Sequence, residues 1–311
     1  MKAFHKTEYK LYKEGINAKI IVASDLHFSY TVDDAKLKTI LKEFESIKSD
    51  YILFAGDLID SVDMIDDLKE RKRLLKWLEE LGNIAKTLIG LGSHDFSRKY
   101  YNAKGKLRFI KEETDLFNSI DEINNVHVLD NKVYEDENIY CSGLTLPFKY
   151  YTFHPDKTPE TKSKKENLEV LQKFIYAHYE LLNPENKDKL AIALIHSPLL
   201  LSRVEHLLEN FDYFVAGHMH NGCVLPGMDE LWKSNRGIIS PNKDLLPKYA
   251  RRTLNDVNDK ILTNGPLTMF HECTGKLQLA NNFFPIYYSV MNFNEDFDWN
   301  ELEISRTYKK F

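Results

Sequence analysis

Ile20-Ile21-Val22-Ala23-Ser24-Asp25-Leu26-His27 carries a short apolar run straight into a carboxylate and an imidazole. The arrangement returns in Tyr51-Ile52-Leu53-Phe54-Ala55-Gly56-Asp57, in Thr87-Leu88-Ile89-Gly90-Leu91-Gly92-Ser93-His94-Asp95, in Leu190-Ala191-Ile192-Ala193-Leu194-Ile195-His196 and in Tyr213-Phe214-Val215-Ala216-Gly217-His218-Met219-His220. Each run has the length and apolar content of a buried strand. In open α/β sheets the functional crevice lies beyond the carboxyl ends of the strands. Five such ends delivering Asp and His predict one divalent-metal site.

Between these runs the chain reads as helix. Asp34 to Lys48 places Leu37, Ile40, Leu41, Phe44 and Ile47 at i, i+3, i+4 spacing, and Ile65 to Leu81 does so with Leu68, Leu74, Leu75 and Leu78. Asn167 to Leu182 and Leu199 to Glu209 read as further helices. Strand–helix alternation implies parallel pairing with helices covering the sheet. After His220 the chain turns rich in Gly and Pro, and Lys260-Ile261-Leu262-Thr263, Ile286 to Val290 and Leu302-Glu303-Ile304 suggest strands with no helix between them. The expectation there is a second, more antiparallel sheet packed on the first, within a single domain spanning 1–311. Two insertions interrupt it. Residues 96–111 are basic and aromatic, and 149–167 mix Tyr150, Tyr151 and Phe153 with a Lys/Pro/Thr run. Both follow strand ends, where they read either as solvated loops or as a rim over a substrate.

Composition excludes some classes. A net charge of −5 gives no global field for nucleic acid or an anionic membrane. The three cysteines, Cys141, Cys223 and Cys273, are odd in number and lack CxxC spacing, so neither a disulfide framework nor a cysteine zinc site is expected. That favours a reducing, cytoplasmic setting. The first ten residues have no apolar core of a signal peptide, and no stretch approaches 18 consecutive apolar residues.

A lone Asp-x-His or Gly-Asp recurs by chance, and a histidine ending a strand is commonly a structural residue; five such pieces in order are a different matter. Asp25 and His27 stand two apart, so an extended backbone would point both to one face, and His218 with His220 would repeat this. Gly56 and Gly217 each precede a candidate ligand, where a missing side chain permits a sharp turn. Asp57 has two oxygens and can bridge two cations. Mixed carboxylate and imidazole ligation favours Mn, Fe or Zn over Mg or Ca. The remaining histidines, His5, His127, His154, His178, His206 and His271, lack such company.

Asp-x-His, Gly56-Asp57-Leu58-Ile59-Asp60, Gly92 to Asp95, His196 before Ser-Pro and Gly217 to His220 together resemble the calcineurin-like metallophosphoesterase superfamily. The last motif and the Pro-rich tail are most similar to a bacterial branch whose motif reads Gly-His-Thr-His-Gly-Gly-Gln. The resemblance implies an α/β fold of four layers, an α/β/β/α sandwich of two mixed sheets flanked by helices. It also implies roles. Asp25, His27 and His220 would hold one metal, Asp57 would bridge, and His196 and His218 would hold the second. A hydroxide bridging the cations would attack phosphorus in line. His94 would stabilise the transition state or protonate the leaving oxygen, with Asp95 setting its tautomer, and Asp60 would orient a ligand.

One position departs from the pattern. Ser93 stands where the superfamily has an Asn ligand, and a shorter, neutral hydroxyl implies a second metal held more weakly. Asn221 and Cys223 depart as well, and Cys223 reads as a buried thiol rather than a ligand. The expected activity is phosphoric ester hydrolysis, of phosphodiesterase or pyrophosphatase type, on a small-molecule or lipid-linked phosphoester. A DNA- or RNA-processing nuclease of the same superfamily is the alternative within the fold, and a scaffold with weakened catalysis is the alternative outside enzymology.

Overall fold

The computed structural model describes residues 3–29, 32–61, 67–95, 111–145, 184, 188–197, 210–218, 232–235, 238–241, 261–263, 286–294 and 303–310. All five apolar runs are strands: β2 (Ala18–Ala23), β3 (Tyr51–Ala55), β4 (Lys86–Gly90), β8 (Leu190–Ile195) and β9 (Tyr213–Ala216). The others are β1 (Ala3–Leu11), β5 (Val126–Val128), β6 (Val133–Glu135), β7 (Ile139–Leu144), β10 (Trp232–Asn235), β11 (Ile238–Pro241), β12 (Ile261–Thr263), β13 (Ile286–Phe293) and β14 (Glu303–Lys310). A seven-stranded sheet has the order β14-β1-β13-β2-β3-β4-β5, and a five-stranded sheet the order β12-β9-β8-β7-β6. Both are mixed. β2, β3, β4 and β5 run parallel while β13 opposes β2, and β7, β8, β9 and β12 run parallel while β6 opposes β7.

Strand periodicity splits the apolar side chains into two cores. Ile21, Ala23, Ile52, Phe54 and Ile89 face the helices with Leu37, Phe44, Leu74 and Leu78. Their neighbours Ile20, Val22, Leu53, Ala55 and Leu88 face the second sheet, against Ile192, Leu194 and Val215. With both faces covered, no polar alternation survives, and this is why the strands read as continuous apolar runs. Three helices, α1 (Asp34–Ile47), α2 (Leu68–Ile84) and α3 (Lys111–Asp121), give the first helical layer.

The helix expectations for the first third hold, with one shift. α2 starts at Leu68 because the Asp67 carboxylate caps the amides of Lys69 and Glu70. Leu68, read as part of the buried stripe, is 70% exposed and contributes little of the roughly 1.5–3 kcal/mol a buried leucine supplies. The helices expected at 167–182 and 199–209 lie outside the described residues, as do the insertion at 149–167 and all of 96–111 except Lys111, which opens α3.

The C-terminal expectation needs correction. The second sheet is mainly parallel and begins with β6 and β7, well before the last third. The final strands instead complete the first sheet, β13 pairing antiparallel to β2 and parallel to β1, and β14 antiparallel to β1. The buried side chains of β13 explain the placement. Tyr288 packs edge-on to Phe4 and to Phe44 of α1 and donates its hydroxyl to Glu43 at 2.7 Å, while Met291 and Phe293 join the inter-sheet core.

Candidate metal centre

Parallel strands place the ends of β2, β3, β4, β8 and β9 on one edge of the two sheets. Beyond β2 and β3 the backbones stay paired: Asp25 donates to the Gly56 carbonyl at 2.9 Å, His27 to Asp57 at 3.0 Å, and Asp60 to Phe28 at 3.1 Å. Beyond β8 and β9 the pairing also continues, Gly217 donating to the His196 carbonyl at 3.0 Å, and the two sheets meet where the His218 amide reaches the Asp25 carboxylate and His196 Nδ1 the Ala55 carbonyl.

The expectation that extended backbone aligns Asp25 with His27 fails. Both adopt left-handed conformations, with φ of 54° and 45°, as do Asp57 at 54° and His218 at 66°. Each such residue costs about 1–3 kcal/mol and persists only where surrounding structure over-determines it. Here the paired loops do so, and Asp and His tolerate the region better than most residues. Two glycines provide the room. A Cβ on Gly56, itself at φ 86°, would sit 2.5 Å from His196 Nδ1, and one on Gly92 would collide with Asp57 Oδ1.

Asp57, 1% exposed, is the hub. Its Oδ2 is 3.0 Å from His196 Nε2 and 3.8 Å from His27 Nε2, and its Oδ1 accepts the His94 amide at 2.8 Å. His27 Nε2 is also 3.9 Å from Asp25 Oδ1, and the Asp25 carboxylate accepts the His218 amide at 3.1 and 3.2 Å. Two sets of donor atoms within cation-sharing range result, His27–Asp57–His94 and Asp57–His196–His218, and Asp57 belongs to both.

Backbone carbonyls orient the rings. A carbonyl only accepts, so Nδ1 of His196, 2.7 Å from the Ala55 carbonyl, carries its proton, and Nε2 turns to the centre. His94 Nδ1 is held likewise, 2.8 Å from the Asp60 carbonyl. His196 Nε2 also stands 3.2 Å from His218 Nδ1. Two ring nitrogens approach so closely only with a proton or a cation between them, and the donor set therefore fits divalent cations. Without cations the proton dominates. Burial opposes charge on both Asp57 and His196, but their mutual attraction wins, holding Asp57 well below the usual carboxylate range and lifting His196 to about 9.

Asp95 does something other than expected. It is fully buried, and its carboxylate accepts the amides of Gly92 at 2.7 Å, Asp57 at 3.0 Å and Ile59 at 3.1 Å. Burial and the Asp57 charge push its carboxyl up to about 7, against the pull of the Gly92 and Ile59 amides. The ring of His94 donates its Nδ1 hydrogen to the Asp60 carbonyl instead, so Asp95 does not set the His94 tautomer. The Asp60 carboxylate lies 3.8 Å from His27 Nδ1, beyond direct hydrogen bonding.

The centre thus brings together Asp25, His27, Asp57, His94, His196 and His218. Ser93 is buried in the same turn. His220, Asn221 and Cys223 lie outside the described residues. Sequence reasoning missed the carbonyls of Ala55 and Asp60, which carry no side-chain signal, and the part of Gly92, which its place before Ser93 could have flagged as it did for Gly56. His127 stays apart as expected, packed on Tyr134 with a ring separation of 5.0 Å.

A family model described as calcineurin-like phosphoesterase matches residues 18–222. Among solved structures, the phosphopantetheinyl hydrolase of Mycobacterium tuberculosis is 15% identical, with 76% of this chain and 95% of that chain covered and a TM-score of 0.41. TT1561 of Thermus thermophilus is 13% identical, with 65% and 82% covered and a TM-score of 0.40. A dimetal phosphatase from Danio rerio is 12% identical, with 66% and 82% covered and a TM-score of 0.34. No curated protein matches the sequence significantly.

Proposed function

The chain belongs to the calcineurin-like phosphoesterase family, and from that premise we propose that it hydrolyses phosphodiester or pyrophosphate bonds of a small or lipid-linked substrate with two divalent cations. The observation that carries this reading is the sharing of Asp57 between two donor sets. Asp25 and His27, completed by His220, would hold one cation, with Asp57 bridging. His196 and His218 would hold the second, with Ser93 a weaker contributor than an amide oxygen. Manganese, iron or zinc suits this mixture of carboxylate and imidazole. Bound cations supply Lewis-acid polarisation of a phosphoryl oxygen and a water acidic enough to attack near neutral pH.

The chain's own contribution is orientation. The Asp60 carbonyl fixes the ring of His94 so that its Nε2 can meet charge developing on a phosphoryl or leaving oxygen. The Ala55 carbonyl fixes His196 in the tautomer that offers Nε2 as a ligand.

Two measurements test the proposal. Protein purified without chelator should contain between one and two transition-metal ions per chain. With added manganese it should hydrolyse bis(p-nitrophenyl) phosphate faster than p-nitrophenyl phosphate, and His94→Ala should lower kcat by roughly 10²–10⁴-fold, the usual range for a proton-transfer group. Absence of metal together with absence of turnover under any cation would favour a scaffold. Preference for the monoester would retain the metal centre and overturn the diester assignment.

A further inference from the structure

Asp95 is a fully buried carboxylate beside the centre that belongs to neither donor set, and all three hydrogen bonds its carboxylate accepts come from backbone amides of the ligand loops. We infer that Asp95 is a positioning residue for the cation-bridging Asp57, tying the loop after β3 to the loop after β4. The inference rests on the two-cation reading above.

The Asp57 amide donates to Asp95 Oδ2, and the Asp57 carboxylate in turn accepts the amide of His94, the residue just before Asp95. The two loops are therefore cross-linked in both directions. Asp57 sits at φ 54°, a conformation that needs external support. Its amide and that of Ile59, two residues on, are both held by one carboxylate, which fixes the turn between them. Gly92 donates to the same oxygen as Asp57, and its missing side chain lets the two loops approach. A carboxylate suits three converging donors because it is acceptor-only. An asparagine would set its own N–H₂ against at least one of these amides, leaving a buried donor unpaired and Asp57 free to shift. Supporting groups of this kind typically contribute 10–100-fold to metal affinity.

The test is titration of chelator-stripped, full-length protein with Mn²⁺, beside Asp95→Asn and Asp136→Ala, the latter removing a carboxylate at the far end of the sheets. The expected result is a Kd for Mn²⁺ raised about 10–100-fold in Asp95→Asn and unchanged in Asp136→Ala. Equal affinity in Asp95→Asn and wild type overturns the inference. Equal weakening in both variants overturns it too, since general loss of stability would then explain the effect. Should Asp95→Asn fail to fold, hydrogen exchange of the Asp57, Ile59 and Gly92 amides in stripped wild type decides: slow exchange supports the cross-link and fast exchange removes it. A wild type that takes up no Mn²⁺ but keeps these amides protected overturns the two-cation reading and leaves the cross-link standing.

Discussion

Strand β3 has a carboxylate cluster at each end, and the two are built on opposite principles. At its start, Asp136 accepts the Tyr51 hydroxyl at 2.9 and 3.0 Å, the Tyr134 hydroxyl at 3.0 Å, the Lys86 ammonium at 3.3 Å and the amides of Asn138 and Ile139 at 3.0 Å each. Every one of these neighbours is a donor. Desolvation would raise its carboxyl, but the amides and hydroxyls hold it below the usual range. At the other end, Asp57 faces the imidazole of His196, whose second nitrogen is already committed to the Ala55 carbonyl, and both Asp57 and Asp25 face that of His27. A carboxylate surrounded by donors is finished and acts as a staple between sheets. One surrounded by convergent lone pairs calls for a cation. The Asp57 cluster is buried and the Asp136 cluster partly so, and the sign of the neighbours separates structure from chemistry.

The sharpest way to break this contrast is to neutralise each carboxylate in turn. Asp57→Asn should lower manganese-dependent diester hydrolysis by more than roughly 100-fold, the upper range for a group that merely supports a ligand, while Asp136→Ala should leave turnover unchanged. A comparable activity loss in both would dissolve the distinction. The next effect is on stability. Asp136→Ala leaves a half-buried ammonium and several other donors without their acceptor, and should cost about 3 kcal/mol, read as a melting temperature lower by roughly 5–10 °C. A melt within a degree of wild type would mean that water replaces the staple at no cost.

The smallest expected effect is a difference in pH response of metal-stripped protein. His196 is raised to about 9 in the folded state, above its ordinary value near 6.5. Its contribution is thus complete below pH 6.5 and lost as pH climbs through 9. Asp136 is lowered, so its contribution is present above its ordinary value and lost on acidification. Differential scanning calorimetry should show the melt falling by a few degrees between pH 6.5 and 9, a fall that Asp57→Asn abolishes and excess Mn²⁺ suppresses. A flat alkaline limb in stripped wild type would argue against the Asp57–His196 pair.

Much of this is legible in the sequence. The strands β2, β3, β4, β8 and β9 announce themselves because both their faces are buried, and helices α1 and α2 because only one of theirs is. Strand β1 gives no such signal, since Phe4-His5-Lys6-Thr7-Glu8-Tyr9-Lys10 mixes charge with aromatics as an outer strand of the sheet can. The place of β13 between β1 and β2 is equally hidden, because pairing partners as far apart as Val22 and Ser289 leave no local trace.

The sequence by itself determined the residue types, their order and their strand-end positions, and those suffice for a cation-binding phosphoester centre, since side-chain chemistry chooses the ligand. Only the tertiary structure decided how the donors are held: by left-handed turns rather than extended strands, by the carbonyls of Ala55 and Asp60, and by Asp95 acting on amides rather than on His94. The reason is physical. Backbone donors and acceptors are the same at every residue, so which of them meet is settled by the packing of distant strands and not by the letters that carry them.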